Sequence, residues 1–170
     1  MQKNETADLV KKAKCQDAEA FTRLMQLHMK NMYRVALAIL LNDEDTADAI
    51  QETILTCWEK IGTLKEAKYF KTWMTRILIN HCYDIRKKSI HTVDLKEWEE
   101  PAAEDQYNLE LKEALASLDK KYGLVLTLFY SEGYHISEIS KMLKLPPSTV
   151  RTRLQRGRER LAKYYADGKE

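Results

Sequence analysis

The most informative stretch of the chain is residues 136–160, which read Ile-Ser-Glu-Ile-Ser-Lys-Met-Leu-Lys-Leu-Pro-Pro-Ser-Thr-Val-Arg-Thr-Arg-Leu-Gln-Arg-Gly-Arg-Glu-Arg. Apolar residues recur at helical spacing from Ile136 to Leu143, which predicts a short helix with one apolar face. Pro146 and Pro147 end it, because proline lacks a backbone donor and restricts the residue before it. Since proline is tolerated in the first turn of a helix, Pro147 can open a second one. The stretch therefore predicts two helices joined by a tight turn.

The second predicted helix combines an apolar seam with a strongly basic surface. Val150, Leu154 and Leu161 form the seam, and the segment from Arg151 to Lys163 carries six basic residues and one acidic residue. In a DNA-binding helix-turn-helix the second helix lies in the major groove and contacts bases near its N-terminal end. An ordinary helical hairpin with solvating arginines is the structural alternative. The candidate DNA contacts are Ser148, Thr149, Arg151, Thr152, Arg153, Gln155, Arg156 and Arg158.

Composition restricts the protein class. The chain has 170 residues and a net charge of only +2, so any nucleic-acid surface must be local. Five glycines and three prolines disfavour a turn-rich β fold. Cys15, Cys57 and Cys82 form no CxxC pair, and we expect buried free thiols in a reducing compartment. With neither a secretory leader nor a long apolar run in this sequence, we expect a cytoplasmic protein.

The periodic segments predict an all-α protein of two small helical domains joined by a flexible acidic linker. Asp17 caps a helix that runs to about Leu41, a second helix is closed by Gly62, and Asp119 caps a later one that Gly133 ends. An acidic stretch without period separates the two sets. We place the domains at residues 1–90 and 107–170, with residues 91–106 as the linker.

Cations interleaved with aromatic rings mark the end of the first domain. Charge of this kind follows a nucleic-acid backbone and rings stack on unpaired bases, so the pattern favours a surface for single-stranded or opened DNA. The alternative is that some rings, among them Phe70 and Trp73, belong to the core. The candidates are Lys65, Tyr69, Lys71, Trp73, Arg76, Tyr83, Arg86, Lys87 and Lys88.

The helix after Asp45 has a polar, mostly acidic face opposite its apolar stripe, formed by Asp48, Gln51, Glu52 and Glu59. Such a face is either solvated or docks a basic protein partner. No catalytic pattern accompanies these surfaces: the four histidines are scattered, and glycine-rich phosphate loops, HExxH and GxSxG are missing from the sequence. We therefore predict neither an enzyme nor a metal or cofactor site.

In this order and spacing the segments resemble a bacterial sigma factor of the extracytoplasmic-function group. Residues 48–52 with Trp58 resemble the helix that docks on core RNA polymerase. Residues 70–88 resemble the segment that melts and reads the −10 element, and residues 118–161 resemble the domain that reads the −35 element. Asp119, where the family usually has proline, and Gly157, where alanine is typical, depart from the pattern.

The resemblance implies three partners: core RNA polymerase, promoter DNA and an anti-sigma factor, often membrane-anchored, that holds the protein inactive. It implies a linker that follows the RNA exit path of the polymerase. It adds Asn80 to the −10 candidates and Leu55 to the polymerase-docking face. A stand-alone helix-turn-helix regulator is the alternative, although no dimerisation heptad supports it, and a helical adaptor that binds only proteins is a further one.

Overall fold

A computed structural model describes residues 2–90, 113 and 118–167. Within these ranges all regular structure is helical, which confirms the all-α prediction. None of the helices in the described ranges has the length and apolarity that crossing a membrane requires. The α-helices are α1 Gln2–Lys14, α2 Ala18–Leu40, α3 Asp43–Lys60, α4 Phe70–Ile90, α5 Lys120–Leu126, α6 Ile136–Leu143 and α7 Pro147–Asp167.

Side-chain caps fix the long helices of the first domain. The Asp17 carboxylate accepts a hydrogen bond from the Ala20 backbone N–H at 3.1 Å and begins α2, as predicted. Leu41 ends α2 in the left-handed conformation, with φ 61°. The Asn42 side chain then accepts from the Asp45 N–H at 2.8 Å and begins α3. A polar cap of this kind satisfies a backbone donor that the first helical turn leaves unpaired.

The core of the first domain lies between α2 and α4. Leu24 and Met32 of α2 are fully buried, as are Phe70 and Leu78 of α4. Helix α1 packs on this core through Val10 and Ala13, both fully buried. The sequence reasoning did not predict α1, because its few apolar residues give a weak helical pattern.

The second domain contains the predicted helix-turn-helix. Helix α5 continues through a π-helical turn, Thr127–Ser131, and Gly133 follows with φ 74°, a conformation that glycine adopts without strain. Helix α6 ends at Leu143, and Pro147 opens α7 as expected. Val150 and Leu154 of α7 are buried, so the recognition helix is anchored through its apolar seam.

The two domains pack against each other. The last residues of α2, Val35 to Leu40, are all buried, although one face of a helix cannot bury six consecutive positions. They are covered on two sides because α2 packs against α3 and α4 within its own domain and against α5 of the second domain. The end of α2 is thus the apolar part of the interdomain contact.

Several local expectations were wrong. Gly62 does not cap α3, since α3 passes at Lys60 into a 3₁₀ turn and Gly62 has no positive φ. Asp119 occupies the cap position of α5 without a capping hydrogen bond, and its carboxylate instead lies 3.8 Å from Lys121 Nζ. Cys15 is exposed after the end of α1.

Pro146 and Pro147 were expected to terminate α6, but they lie after its end. Lys144 terminates the helix in the left-handed conformation. The predicted linker, residues 91–106, lies outside the described residues.

Candidate nucleic-acid interface

One face of α4 carries most of the residues predicted to contact opened DNA. Trp73, Arg76, Asn80, Tyr83 and Lys87 follow one another at intervals of three and four, so they share one side of the helix. Arg76, Asn80, Tyr83 and Lys87 are exposed and Trp73 is half-buried. Exposed Tyr69, in the turn before α4, extends this row, which we call the α4 reading face.

The remaining −10 candidates lie elsewhere. Lys71 and Arg86 are half-buried on the side of α4 that meets the second domain. Exposed Lys65 is in the loop before α4, and exposed Lys88 is near its end. Of the aromatics, Phe70 is fully buried, so the core alternative holds for that ring and only in part for Trp73. Helical phase therefore divides the basic residues of α4 into an outward set and an interdomain set.

The outward face of α7 combines polar and basic side chains. Ser148, Thr152 and Gln155 share its exposed side, with exposed Arg151 and Arg156 flanking them. Such a row, on a helix that begins at exposed prolines, has the shape and chemistry to enter a major groove.

The other α7 candidates face their own protein. Arg158, although exposed, donates from Nη1 to the Tyr130 hydroxyl at 2.7 Å. Arg153 is half-buried and lines the interdomain cavity, while Thr149 is half-buried beside the first turn. These three residues therefore contact or face other parts of the protein and do not belong to the outward row of α7.

Helix α3 presents a second kind of surface. Asp48, Gln51, Glu52, Leu55 and Glu59 lie on one exposed side of the helix, as predicted. Leu55 is 59 % exposed in the middle of the acidic residues. A large apolar side chain framed by charge is typical of a protein-docking surface, where the apolar group is buried and the charges set orientation.

A buried carboxylate joins the domains. Glu132, just after α5, has a side chain that is 1 % exposed, and its carboxylate lies 3.1 Å from Arg34 Nε and 3.5 Å from Lys71 Nζ. Lys71 Nζ also donates to the Glu132 backbone carbonyl at 2.9 Å. Beside it, the Tyr134 and Thr75 hydroxyls share a hydrogen bond of 3.0 Å. Sequence reasoning missed Glu132 and Tyr134, because their partners are 59 to 98 residues away.

A cavity with a basic lining also lies between the two domains. Its walls include Tyr83 and Arg86 from α4, Lys120 from α5 and Arg153 from α7. Desolvation and the charge of Arg86 lower the pKa of Lys120, and burial raises the pKa of Tyr83. The two predicted DNA surfaces therefore meet at this cavity.

Among residues 2–90 and 118–167, no group of three or more histidine, cysteine or acidic side chains could hold a metal ion. Cys57 and Cys82 are buried, and burial raises both thiol pKa values to about 12. The His81 ring contacts the Thr56 hydroxyl at 2.8 Å, and His28 is buried in the core.

Comparison with known families matches both halves of the chain. The model of sigma-70 region 2 covers residues 24–89 and the model of sigma-70 region 4 covers residues 108–161. The chain is 29 % identical to the ECF RNA polymerase sigma factor SigW of Bacillus subtilis, over 93 % of this chain and 95 % of that protein. It is 28 % identical to the ECF RNA polymerase sigma factor SigM of Mycobacterium tuberculosis, over 86 % and 78 %.

Solved structures show the same fold. CnrH, in complex with the cytosolic domain of CnrY, superimposes with a TM-score of 0.72 at 22 % identity, over 96 % of this chain and 98 % of that one. The sigma factor RpoE of Bartonella quintana, in complex with the anti-sigma factor NepR, gives a TM-score of 0.73 at 20 % identity, over 88 % and 98 %.

Proposed function

Because the chain belongs to the sigma-70 family, within its extracytoplasmic-function group, we propose that the α4 reading face binds the opened −10 element and the outward face of α7 reads the −35 duplex. The protein is a sigma factor that directs core RNA polymerase to promoters. The comparisons give no support to a stand-alone helix-turn-helix regulator. What remains to assign is the role of each residue.

The observation that carries the −10 assignment is the shared side of Tyr69, Trp73, Arg76, Asn80 and Tyr83. Strand separation exposes bases that need a partner, and an aromatic ring offers a stacking surface worth about 1–3 kcal/mol per base. Arg76 and Lys87 supply positive charge for the phosphates along the same row.

The −35 assignment rests on the exposed polar row of α7 with its flanking arginines. Arg151 and Arg156 can make bidentate contacts to guanine or bind phosphates, and Gln155 suits an adenine edge. Each module alone supplies a limited set of contacts. Because the modules are tethered, the second binding event becomes intramolecular, and overall affinity rises without any further contact.

The test of the reading faces is run-off transcription with purified core polymerase on a genomic template, followed by mapping of the start sites. On a promoter found in this way, Arg76→Ala should reduce open-complex formation about tenfold. The matched control is Arg23→Ala, an exposed arginine on α2 away from the face, which should stay near wild type. An equal effect of the two substitutions would contradict the assignment.

We also propose that core polymerase docks on the α3 face through Leu55. Loss of an apolar side chain at the centre of an interface costs about 1–2 kcal/mol, so Leu55→Ala should weaken binding to core polymerase roughly tenfold. Met29→Ala, which shortens an exposed apolar side chain on α2, is the matched control. Titration of fluorescent protein with core polymerase measures both, and equal affinities would exclude this face.

Two further parts of the proposal concern the regulation of the protein and its location in the cell. We propose that an anti-sigma factor holds the protein inactive, as the group resemblance implies, and that the protein acts in the cytoplasm with the polymerase. Proteins of the same fold have been solved in complex with the cytosolic domain of CnrY and with the anti-sigma factor NepR. An inhibitor purified with the chain should abolish run-off transcription when added back, and addition without effect would exclude it.

A further inference from the structure

Positive charge from both domains converges on the cavity between them. Arg86 of α4 lines this cavity from the first domain, and the second domain contributes Lys120, Lys121 and Arg153, with Asp119 as an acidic residue among them. Four cations against one carboxylate give the lining a net positive formal charge. Like charges gathered in a partly dehydrated space are unfavourable unless an anion compensates them. The cavity therefore has the charge of an anion-binding site.

Two of these cations have no acidic partner among the described residues. Lys120 and Arg153 are half-buried, and neither forms an ion pair within the part of the chain that the structure describes. Burial, and then the charge of Arg86, lower the pKa of Lys120, with no opposing effect from a described carboxylate. The charged form of Lys120 is therefore disfavoured in this cavity, and a bound anion would relieve that disadvantage.

Tyr83 marks the point where arginines of the two domains meet. Burial raises the pKa of its hydroxyl, while the charges of Arg86 and Arg153 both act to lower it. Because the effect of a charge on a pKa weakens with distance, both guanidinium groups lie near the Tyr83 hydroxyl. A ligand at this point would be within reach of one cation from α4 and one from α7.

The size and the walls of the cavity restrict the class of ligand. Its volume is about 330 Å³, at the lower end of the range for small-molecule sites and too small for a DNA duplex. Part of the wall is apolar, since Ile39 and Leu124 are buried, and Tyr83 adds an aromatic ring. Guanidinium groups bind phosphates through paired hydrogen bonds, and an ammonium group adds a point charge. These features favour a small ligand that carries phosphates.

We propose that this cavity binds a small polyphosphate, either free or as part of a nucleotide, between Arg86 of the first domain and Lys120 and Arg153 of the second. A chain of linked phosphates carries several charges over a length that can reach cations on both domains, whereas a single phosphate reaches fewer of them. The site is independent of the proposed promoter contacts, since neither polymerase nor DNA takes part in the binding.

Isothermal titration calorimetry with the full-length protein at physiological ionic strength measures the binding. The probes are inorganic tripolyphosphate, ATP and inorganic phosphate, all without magnesium. Tripolyphosphate should bind at least about tenfold more tightly than phosphate, because it reaches more of the cations. Tighter binding of ATP than of tripolyphosphate would identify a nucleotide as the ligand, and the reverse order would identify a free polyphosphate. Equal affinity for phosphate, or no binding of either polyphosphate up to about 1 mM, would overturn the proposal.

Substitutions in the two domains test the location of the site. Lys120→Gln and Arg86→Gln should each weaken tripolyphosphate binding about tenfold, since each removes a charged hydrogen-bond donor. Lys120→Arg keeps the charge and should stay within about threefold of wild type. The matched control is Lys141→Gln, which removes the same charge from an exposed lysine of α6 and should leave the affinity unchanged. Equal losses from Lys120→Gln and Lys141→Gln would indicate general charge attraction and would exclude this site.

Thermal unfolding separates loss of the site from loss of the fold. Tripolyphosphate should raise the unfolding temperature of wild type, because a ligand that binds only the folded state stabilises it. Lys120→Gln should unfold like wild type without the ligand and gain less stability with it, and an equal gain would contradict the proposal. A failure of these binding tests leaves the sigma function intact, whereas a failure of run-off transcription counts only against the promoter contacts.

Discussion

Protonation of His28 should destabilise the first domain as the pH falls. The ring is 8 % exposed, both its nitrogens are buried with no hydrogen-bond partner among the described residues, and its centre lies 5.3 Å from that of Phe70. Burial, and then the charge of Lys71, lower the pKa of His28 from 6.5 to about 4. The folded protein therefore holds this histidine in its neutral form.

The sign follows from the direction of the pKa change. Between pH 6.5 and 4 the unfolded chain binds the proton and the folded chain does not, so stability is complete above pH 6.5 and is lost as the pH falls towards 4. The difference of about 2.5 between the two pKa values corresponds to about 3 kcal/mol. About 2 kcal/mol of this should be lost between pH 7 and pH 4.5.

Urea unfolding followed by tryptophan fluorescence measures this loss, because Trp58 and Trp73 contact the core rings Phe21 and Phe70. Carboxylates titrate in the same range, so the informative quantity is the difference between wild type and His28→Leu. Their stabilities should diverge by about 2 kcal/mol at pH 4.5 in favour of the variant. His135→Asn, at the exposed start of α6, should follow wild type. Parallel curves for wild type and His28→Leu, or an NMR titration of His28 near pH 6.5, would refute the reasoning.

Two further predictions concern packing and thiol access. A Cβ on Gly157 would lie 3.0 Å from Leu126 Cδ1 and 3.3 Å from Tyr122 Cβ. Because this overpacks the contact between α5 and α7, Gly157→Val should lower the free energy of unfolding by about 2–3 kcal/mol. Urea titration measures this change, and unchanged stability would contradict the contact. Native protein at pH 7.5 should take up one equivalent of maleimide, at Cys15, and three equivalents in urea, because burial raises the pKa values of Cys57 and Cys82 to about 12. Mass spectrometry counts the adducts, Cys15→Ser should take up none when folded, and rapid modification of a second native thiol would be inconsistent with the burial.

Local signals in the sequence were enough to predict the helices that later carry the site. Asp17 and Pro147 begin helices where expected, because a cap or a missing donor acts within one turn. The outward rows of α3, α4 and α7 follow from helical periodicity, which decides which side chains share a side. Where the signal was weak, as in polar α1, no helix was predicted.

What could not be predicted is which side of a helix another domain covers. Lys71 and Arg76 are both cations on α4, yet one bonds to Glu132 and the other is exposed. Composition treats them alike, and helical spacing places them on different sides of α4 without showing which side the second domain covers. The contact of Lys71 with a residue 61 positions away shows it. For the same reason, local sequence patterns could not predict that Tyr134 and both ring nitrogens of His28 are buried.

The division of α4 by helical phase separates the proposed DNA contacts from the interdomain ion pairs. The outward side carries exposed Arg76, which we propose binds opened DNA. The opposite side carries Lys71, which pairs with Glu132 of the second domain. Arg76→Ala should therefore weaken DNA binding without disturbing the contact between the domains, since Arg76 has no part in the ion pairs of Glu132.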